Sequence, residues 1–94
     1  MIFQVNVSQN GRGGTVFYTE NDAKLSFDWE FSISGATVFV PNETEWMEFC
    51  KARNFSDGIE RRDEILDNLG KELCRQKTSS GTFEIYGNFL EITF

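Results

Sequence analysis

The sequence predicts a single α+β domain over residues 1–94, with a mostly antiparallel sheet of about six strands and two helices packed on one face of the sheet. Three observations lead to this prediction: a long run of alternating apolar and polar residues, short turns that join similar runs into hairpins, and two stretches of helical periodicity. The predicted order of elements is β-β-β-β-α-α-β-β. A chain of 94 residues has room for one such core.

The clearest element is a strand over residues 24–33, in which every second residue is apolar. Strict alternation is typical of a strand with one buried face, so the apolar side chains are predicted to face the helices. They are Leu25, Phe27, Trp29, Phe31 and Ile33. Trp29 and Phe31 are therefore expected to be core residues rather than contacts with a partner.

The chain opens with another alternating segment, residues 2–7, which is predicted to be the first strand. Residues 8–14 are rich in glycine and polar side chains and are expected to form an irregular loop. The glycines at 11, 13 and 14 could be imagined to hold a phosphate, but phosphate loops bind anions at the N-terminus of a following helix. Because a strand follows here, we expect a flexible loop with Arg12 at its tip.

Three two-residue turns predict the strand registers: Asn21-Asp22, Gly35-Ala36 and Gly87-Asn88. In each register apolar residues meet on one face, as a buried sheet face requires. The predicted pairs are Tyr18 with Leu25, Val16 with Phe27, Ile33 with Val38, Phe31 with Val40, Ile85 with Leu90, and Phe83 with Ile92. The last hairpin could pair either with the first strand or with the other edge of the sheet.

Helical periodicity begins after Pro41, where Asn42 is a predicted N-cap and Glu45 its reciprocal partner. One stripe of this helix is formed by Trp46, Phe49, Cys50 and Arg53. After a break at residues 54–58, Asp57 and Glu60 predict the cap of a longer helix that runs to about residue 77. The stripe of this second helix is Arg62, Ile65, Leu66, Leu69 and Leu73. Gly70, beside the stripe, predicts close packing of the helix on the sheet.

The chain is acidic, with fifteen acidic and nine basic residues and a formal net charge of −6. A negative surface repels phosphate groups, so neither nucleic acid nor an anionic membrane is expected as a partner. A basic protein is the more natural partner, although a moderate negative charge also keeps a small domain soluble. Cys50 and Cys74 lie in helical patterns and are expected to be reduced, and no apolar run has the length of a membrane span, so a cytoplasmic location is expected.

The residues do not suggest a catalytic centre. The chain has no histidine, which is the commonest general base and a frequent metal ligand. Two isolated cysteines do not make a zinc site. We therefore expect no catalytic residue, no bound metal and no cofactor. An enzyme that works through carboxylates and Arg62 is a weaker alternative, because an arginine in an apolar stripe is more often extended towards the surface or ion-paired.

The face of the sheet opposite the helices is the predicted site of partner binding. In the predicted registers Phe17 lies opposite Ser26, Ser32 lies opposite Phe39, and Tyr86 lies opposite Phe89, so aromatic side chains point away from the helices. Either neighbouring side chains cover these rings or they form an exposed patch. The residues predicted to contact a partner are Phe17, Asp28, Glu30 and Phe39, with the two carboxylates steering encounter and the two rings providing burial.

The run from Val40-Pro41 through Trp46 to the residues RRDEIL at 61–66 resembles small immunity proteins of bacterial polymorphic toxin systems. The likeness covers the middle third and the end of the chain. Such proteins neutralise a cognate toxin domain in the cytoplasm, often a nuclease, by masking its basic active surface. The resemblance implies an inhibitor that acts through acidic and aromatic side chains, but it transfers no individual contact residue, because these families bind through different faces.

Two functions of a non-enzymatic kind are thus predicted. The first is a binding module that inhibits a basic protein. The second is a module that forms homodimers or larger homo-oligomers through the outer sheet face or an edge strand. The oligomeric state in solution distinguishes them, because a monomer at all concentrations excludes the second.

Overall fold

The structure, a computed structural model, describes residues 2–78 and 80–94 and confirms the predicted α+β order. Four strands are followed by two helices and two further strands, with a single 3-10 turn at Ser56–Gly58 between the helices. The strands are β1 (Phe3–Asn10), β2 (Gly13–Glu20), β3 (Ala23–Ser32), β4 (Gly35–Phe39), β5 (Thr82–Ile85) and β6 (Phe89–Thr93). The helices are α1 (Glu43–Ala52) and α2 (Arg62–Lys77).

All six strands form one antiparallel sheet in the order β1-β2-β3-β4-β6-β5. The last hairpin therefore extends the β4 edge and does not pair with β1. In this arrangement Val38 of β4 lies opposite Leu90 of β6, and both side chains are buried. The sequence left this choice open, and the structure places β1 and β5 at the two edges.

Two of the three predicted registers are confirmed. Tyr18 lies opposite Leu25 in the β2–β3 pair, and Ile85 lies opposite Leu90 in the β5–β6 pair. The predicted β3–β4 register is wrong, because the turn falls at Ile33-Ser34 rather than at Gly35-Ala36. The observed pairs in this hairpin are Trp29 with Val38, Phe31 with Ala36, and Ser32 with Gly35.

Close approach of two strands explains why Gly35 lies in β4 and not in the turn. A Cβ at this position would overlap the carbonyl oxygen of Ile92 on β6, so only glycine allows the two backbones to pair here. The prediction that Ile33 faces the helices is therefore wrong, because Ile33 is part of the turn and is fully exposed. The corrected register moves each strand partner by an even number of residues, so the side chains that stay within β3 and β4 keep their predicted faces.

The expected loop at residues 8–14 is also wrong. β1 continues to Asn10, β2 begins at Gly13, and only two residues form the turn. Gly11 has a φ of 67°, which glycine adopts without strain. A Cβ on Gly14 would overlap the carbonyl oxygen of Ser8, so this glycine also permits a close strand pair. The glycine-rich composition therefore marks a tight hairpin.

The core lies between the two helices and the inner face of the sheet, as predicted. Phe49 of α1 stacks on Phe27 of β3 with ring centroids 5.5 Å apart. All five predicted stripe residues of α2 are buried. Close packing at Gly70 is confirmed, because a Cβ there would overlap the ring of Phe83 on β5.

The capping predictions have mixed outcomes. The Asn42–Glu45 capping box at the start of α1 is present in both directions. The predicted cap at Asp57 is wrong, because α2 begins later, with Arg61 at its N-cap position. Asp57 instead accepts a hydrogen bond from the Arg61 guanidinium at 3.0 Å.

The prediction that Trp29 and Phe31 are both core residues is half right. Trp29 is buried and its indole N–H donates to the Ser8 carbonyl at 3.1 Å. Phe31 is 36% exposed, because it lies next to the β3–β4 turn, where the helices do not fully cover the sheet. Alternation correctly gave the face of Phe31 but could not show how far the helices reach.

Candidate partner-binding face

We call the sheet face opposite the helices the outer face. The four predicted contact residues Phe17, Asp28, Glu30 and Phe39 all lie on it. Asp28 and Glu30 are exposed on the central strand β3, where they alternate with the inward-facing Trp29. Their side chains are thus placed together by the alternation that the sequence predicts.

Phe17 and Phe39 occupy different parts of this face. Phe17 is half-buried on β2, and the Lys24 ammonium lies 4.5 Å from its ring centroid. Phe39 on β4 pairs with Phe89 on β6, and their rings meet edge to face at 5.9 Å. The predicted pair of Phe39 with Ser32 is wrong, because the corrected β3–β4 register shifts Phe39 along the strand towards Asp28. The structure therefore groups Phe39 with residues of the last hairpin, not with Phe17.

Phe39, Phe89 and Tyr86 form an exposed aromatic cluster. Their side chains are 39%, 45% and 50% exposed, respectively. The backbone N–H of Tyr86 donates to the carbonyl of Phe89 at 2.7 Å, which confirms that these two residues lie opposite each other. The sequence predicted Tyr86 and Phe89 on the outer face but did not include them among the contacts. The pairing of β6 with β4 brings Tyr86 and Phe89 close to Phe39. The sequence does not predict this pairing, because the last hairpin could extend either edge of the sheet.

An acidic row lies beside the aromatic cluster and crosses four strands. It consists of Glu30, Glu91 and Glu84, connected through Thr37: Glu30 pairs with Thr37, Thr37 with Glu91, and Glu91 with Glu84. Among the residues that the structure describes, none of these three carboxylates has an ion-paired partner. The close Glu84–Glu91 pair is electrostatically unfavourable in the free protein.

Hydrogen bonds position two of these carboxylates. The Thr37 hydroxyl donates to Glu91 at 2.6 Å, and the Tyr86 hydroxyl donates to Glu84 at 3.0 Å. The bond to Glu84 and the nearby negative charge raise the pKa of Tyr86 above its usual value. A shallow depression lined by Thr37, Tyr86, Phe89 and Glu91 lies where the acidic row meets the aromatic cluster. This depression combines ring surface with a carboxylate.

Arg62, the residue on which the enzyme alternative depends, makes hydrogen bonds that connect separate parts of the backbone. Its guanidinium donates to the carbonyl oxygens of Pro41 and Gly87 at 2.9 and 2.8 Å. These bonds tie the start of α2 to the chain before α1 and to the last hairpin turn. Arg62 also lines two open surface depressions that contain acidic residues, Glu43 and Asp63 in one and Glu43, Glu60, Asp63 and Glu64 in the other. In the described part of the chain, only Asp63, at 3.9 Å and largely exposed, comes within ion-pair distance of the guanidinium. The enzyme alternative therefore stays a prediction.

Across residues 2–78 and 80–94, no group of three or more histidine, cysteine, aspartate or glutamate side chains is arranged to hold a metal ion. Within the same residues, neither helix has the length and apolar character needed to cross a membrane.

Comparisons with protein families, with curated proteins and with solved structures find no match to this chain.

Proposed function

We propose that this chain is a non-enzymatic binding module that captures a basic protein on its outer face. The observation that supports this most is the exposed aromatic cluster next to a row of carboxylates that lack ion-paired partners in the described structure. Buried aromatic anchors provide most of the binding energy in many interfaces, and complementary charge speeds encounter. The outer face offers both within one surface.

The depression between the cluster and the row indicates how a basic side chain would bind. An arginine or lysine placed there would lie against the rings of Tyr86 and Phe89 and reach the carboxylate of Glu91. Cation–π attraction and a charge-assisted hydrogen bond would then act on the same cation. A partner cation would also relieve the repulsion between Glu84 and Glu91.

We propose further that the partner is a toxin domain, such as a nuclease, and that this chain acts as its immunity protein in the cytoplasm. A nuclease presents a basic surface to its substrate, and an acidic protein that covers this surface blocks access. The free thiols of Cys50 and Cys74 are consistent with a reducing compartment. The resemblance of residues 40–66 to immunity proteins provides the second support.

Co-expression with the product of each neighbouring gene tests this function. A toxin that is expressed without this chain should arrest growth. Co-expression of the wild-type chain should neutralise the toxin, whereas the double variant Phe39→Ala, Phe89→Ala should not. Met47→Ala is the matched control, because Met47 is similarly exposed but lies on α1, on the opposite side of the molecule. The proposal fails if no neighbouring product is toxic or bound, or if the double variant protects as well as Met47→Ala does.

A homodimer is the second candidate, favoured by the position of β1. This eight-residue strand forms one edge of the sheet and could pair with β1 of a second copy. Light scattering over a wide range of protein concentration distinguishes the two, since a constant monomer mass excludes the dimer.

A further inference from the structure

A separate pocket opens on the helix side of the sheet, at the end that α2 does not fully cover. We call it the end pocket. It has a volume of about 200 Å³. Its walls come from several strands and from the last turns of α2, and they include Trp29, Phe31, Val38, Leu73 and Ile92. Gln9 and Lys77 are the only polar side chains among the described residues that line it.

The walls of the end pocket are held in place by contacts within the protein. The indole N–H of Trp29 donates to the Ser8 carbonyl, and the ring of Phe31 meets the Trp29 ring edge to face at 4.9 Å. Leu73 and Ile92 are buried in the core. A ligand would therefore enter a site that is largely formed beforehand, which lowers the entropic cost of binding.

The size and the charge of the end pocket define a class of ligand. An apolar cavity of about 150 Å³ holds one benzene ring, so about 200 Å³ accommodates a ring with a short substituent. Lys77 is the one charged side chain that lines the pocket, and it makes no ion pair within the described residues. We propose that the end pocket binds a small aromatic carboxylate, with its ring against Trp29 and Phe31 and its carboxylate at the Lys77 ammonium.

Titration with phenylacetate, followed by NMR, tests this proposal. Trp29 lines the end pocket and Trp46 does not, so the two indole resonances distinguish binding in the pocket from a general effect. The indole N–H resonance of Trp29 should shift in a saturable way. The resonance of Trp46 should stay, because that ring is buried beneath α1 and donates to the Gly58 carbonyl away from the end pocket. The neutral analogue 2-phenylacetamide has nearly the same shape and serves as the matched probe for charge.

Two lysine variants separate the charge from the cavity. Lys77→Gln should weaken phenylacetate binding about two- to fivefold and leave 2-phenylacetamide binding unchanged, since an accessible ion pair contributes modestly. Lys71→Gln is the control, because Lys71 lies on α2 outside the pocket and pairs with Asp67 at 2.9 Å. Intermolecular NOEs between the ring protons of phenylacetate and the Trp29 indole should confirm the pose without any core substitution.

Three outcomes would overturn the proposal. The first is a Trp29 resonance that does not move with phenylacetate up to about 10 mM, a range that reveals even weak binding. The second is equal affinity for the acid and the amide, which would remove the role of Lys77. The third is a Trp29 shift that follows protein concentration without any probe, which would identify a second copy of the chain as the occupant.

Discussion

Arg61 donates hydrogen bonds to both carboxylate oxygens of Glu20, at 2.7 and 3.0 Å, across 41 positions of sequence. The Glu20 side chain is completely buried, and the Tyr18 hydroxyl donates a third bond to it at 2.9 Å. Arg61 also binds Asp57 and Glu64. These contacts join the end of β2 to the start of α2.

Arg61→Ala is expected to destabilise the fold by about 3–5 kcal/mol, because it leaves the carboxylate of Glu20 buried without its cation. Urea unfolding at neutral pH measures the loss. Arg75→Ala is the matched control, since Arg75 is an exposed residue of α2 paired with Glu72, and it should cost less than about 1 kcal/mol. Equal losses in the two variants would show that the Glu20–Arg61 pair has no special role.

The same pair predicts a dependence of stability on pH. The bonds from Arg61 hold the pKa of Glu20 below its ordinary value of 4.5. A lowered pKa in the folded state adds stability that is present above the unfolded value and is lost as the pH falls through the folded value. Below pH 4.5, the wild type should therefore lose stability more steeply than Glu20→Gln does. Urea unfolding at a series of acidic pH values compares them, and parallel curves would contradict the prediction.

Gly70→Ala is expected to destabilise the protein by about 1–2 kcal/mol, although alanine favours a helix by about 1 kcal/mol over glycine. The reason is that the new methyl group would overlap the ring of Phe83. In a Phe83→Leu background the smaller side chain leaves room, so the same substitution should become neutral or stabilising. Thermal unfolding of the four proteins measures the coupling, and additive effects would refute the contact.

Phe27→Ala and Phe31→Ala should differ clearly, although both residues lie on the inner face of β3. Phe27 is 3% exposed and its loss should cost about 3–5 kcal/mol. Phe31 is 36% exposed, so its ring buries less apolar area in the folded state, and its replacement should cost about 1–2 kcal/mol. Chemical denaturation gives both values. A larger loss for Phe31→Ala would mean that the end pocket is closed in solution.

Once a basic partner is identified, the charges and the rings of the outer face should affect different rate constants. Replacing Asp28 and Glu30 by Asn and Gln should mainly slow association and flatten its dependence on salt. Phe39→Ala should mainly speed dissociation, because the ring provides buried area rather than steering. Binding kinetics at two salt concentrations separate the effects. Unchanged rates in both variants would move the interface to the helices, near the acidic first turn of α2 at Asp63 and Glu64, because Trp46 is buried.

Much of the candidate site was predictable because strand alternation assigns side chains to faces. Asp28 and Glu30 were expected on the outer face, and they lie there. Phe39 was assigned to the correct face even with the wrong register, since the error was an even number of residues. The aromatic cluster of Phe39, Tyr86 and Phe89 was not predictable as a unit, because it requires the β4–β6 pair, which joins segments far apart in the chain.

The sequence by itself determined the class of fold, the order of elements, the inward and outward faces, and the capping box of α1, since each of these depends on neighbours within a few residues. Only the tertiary structure decided the strand order, the position of Gly35 in β4, the exposure of Phe31 and the contact between Arg61 and Glu20. These features depend on which distant backbones approach closely and on where a buried charge finds its partner. Local periodicity carries no information about either.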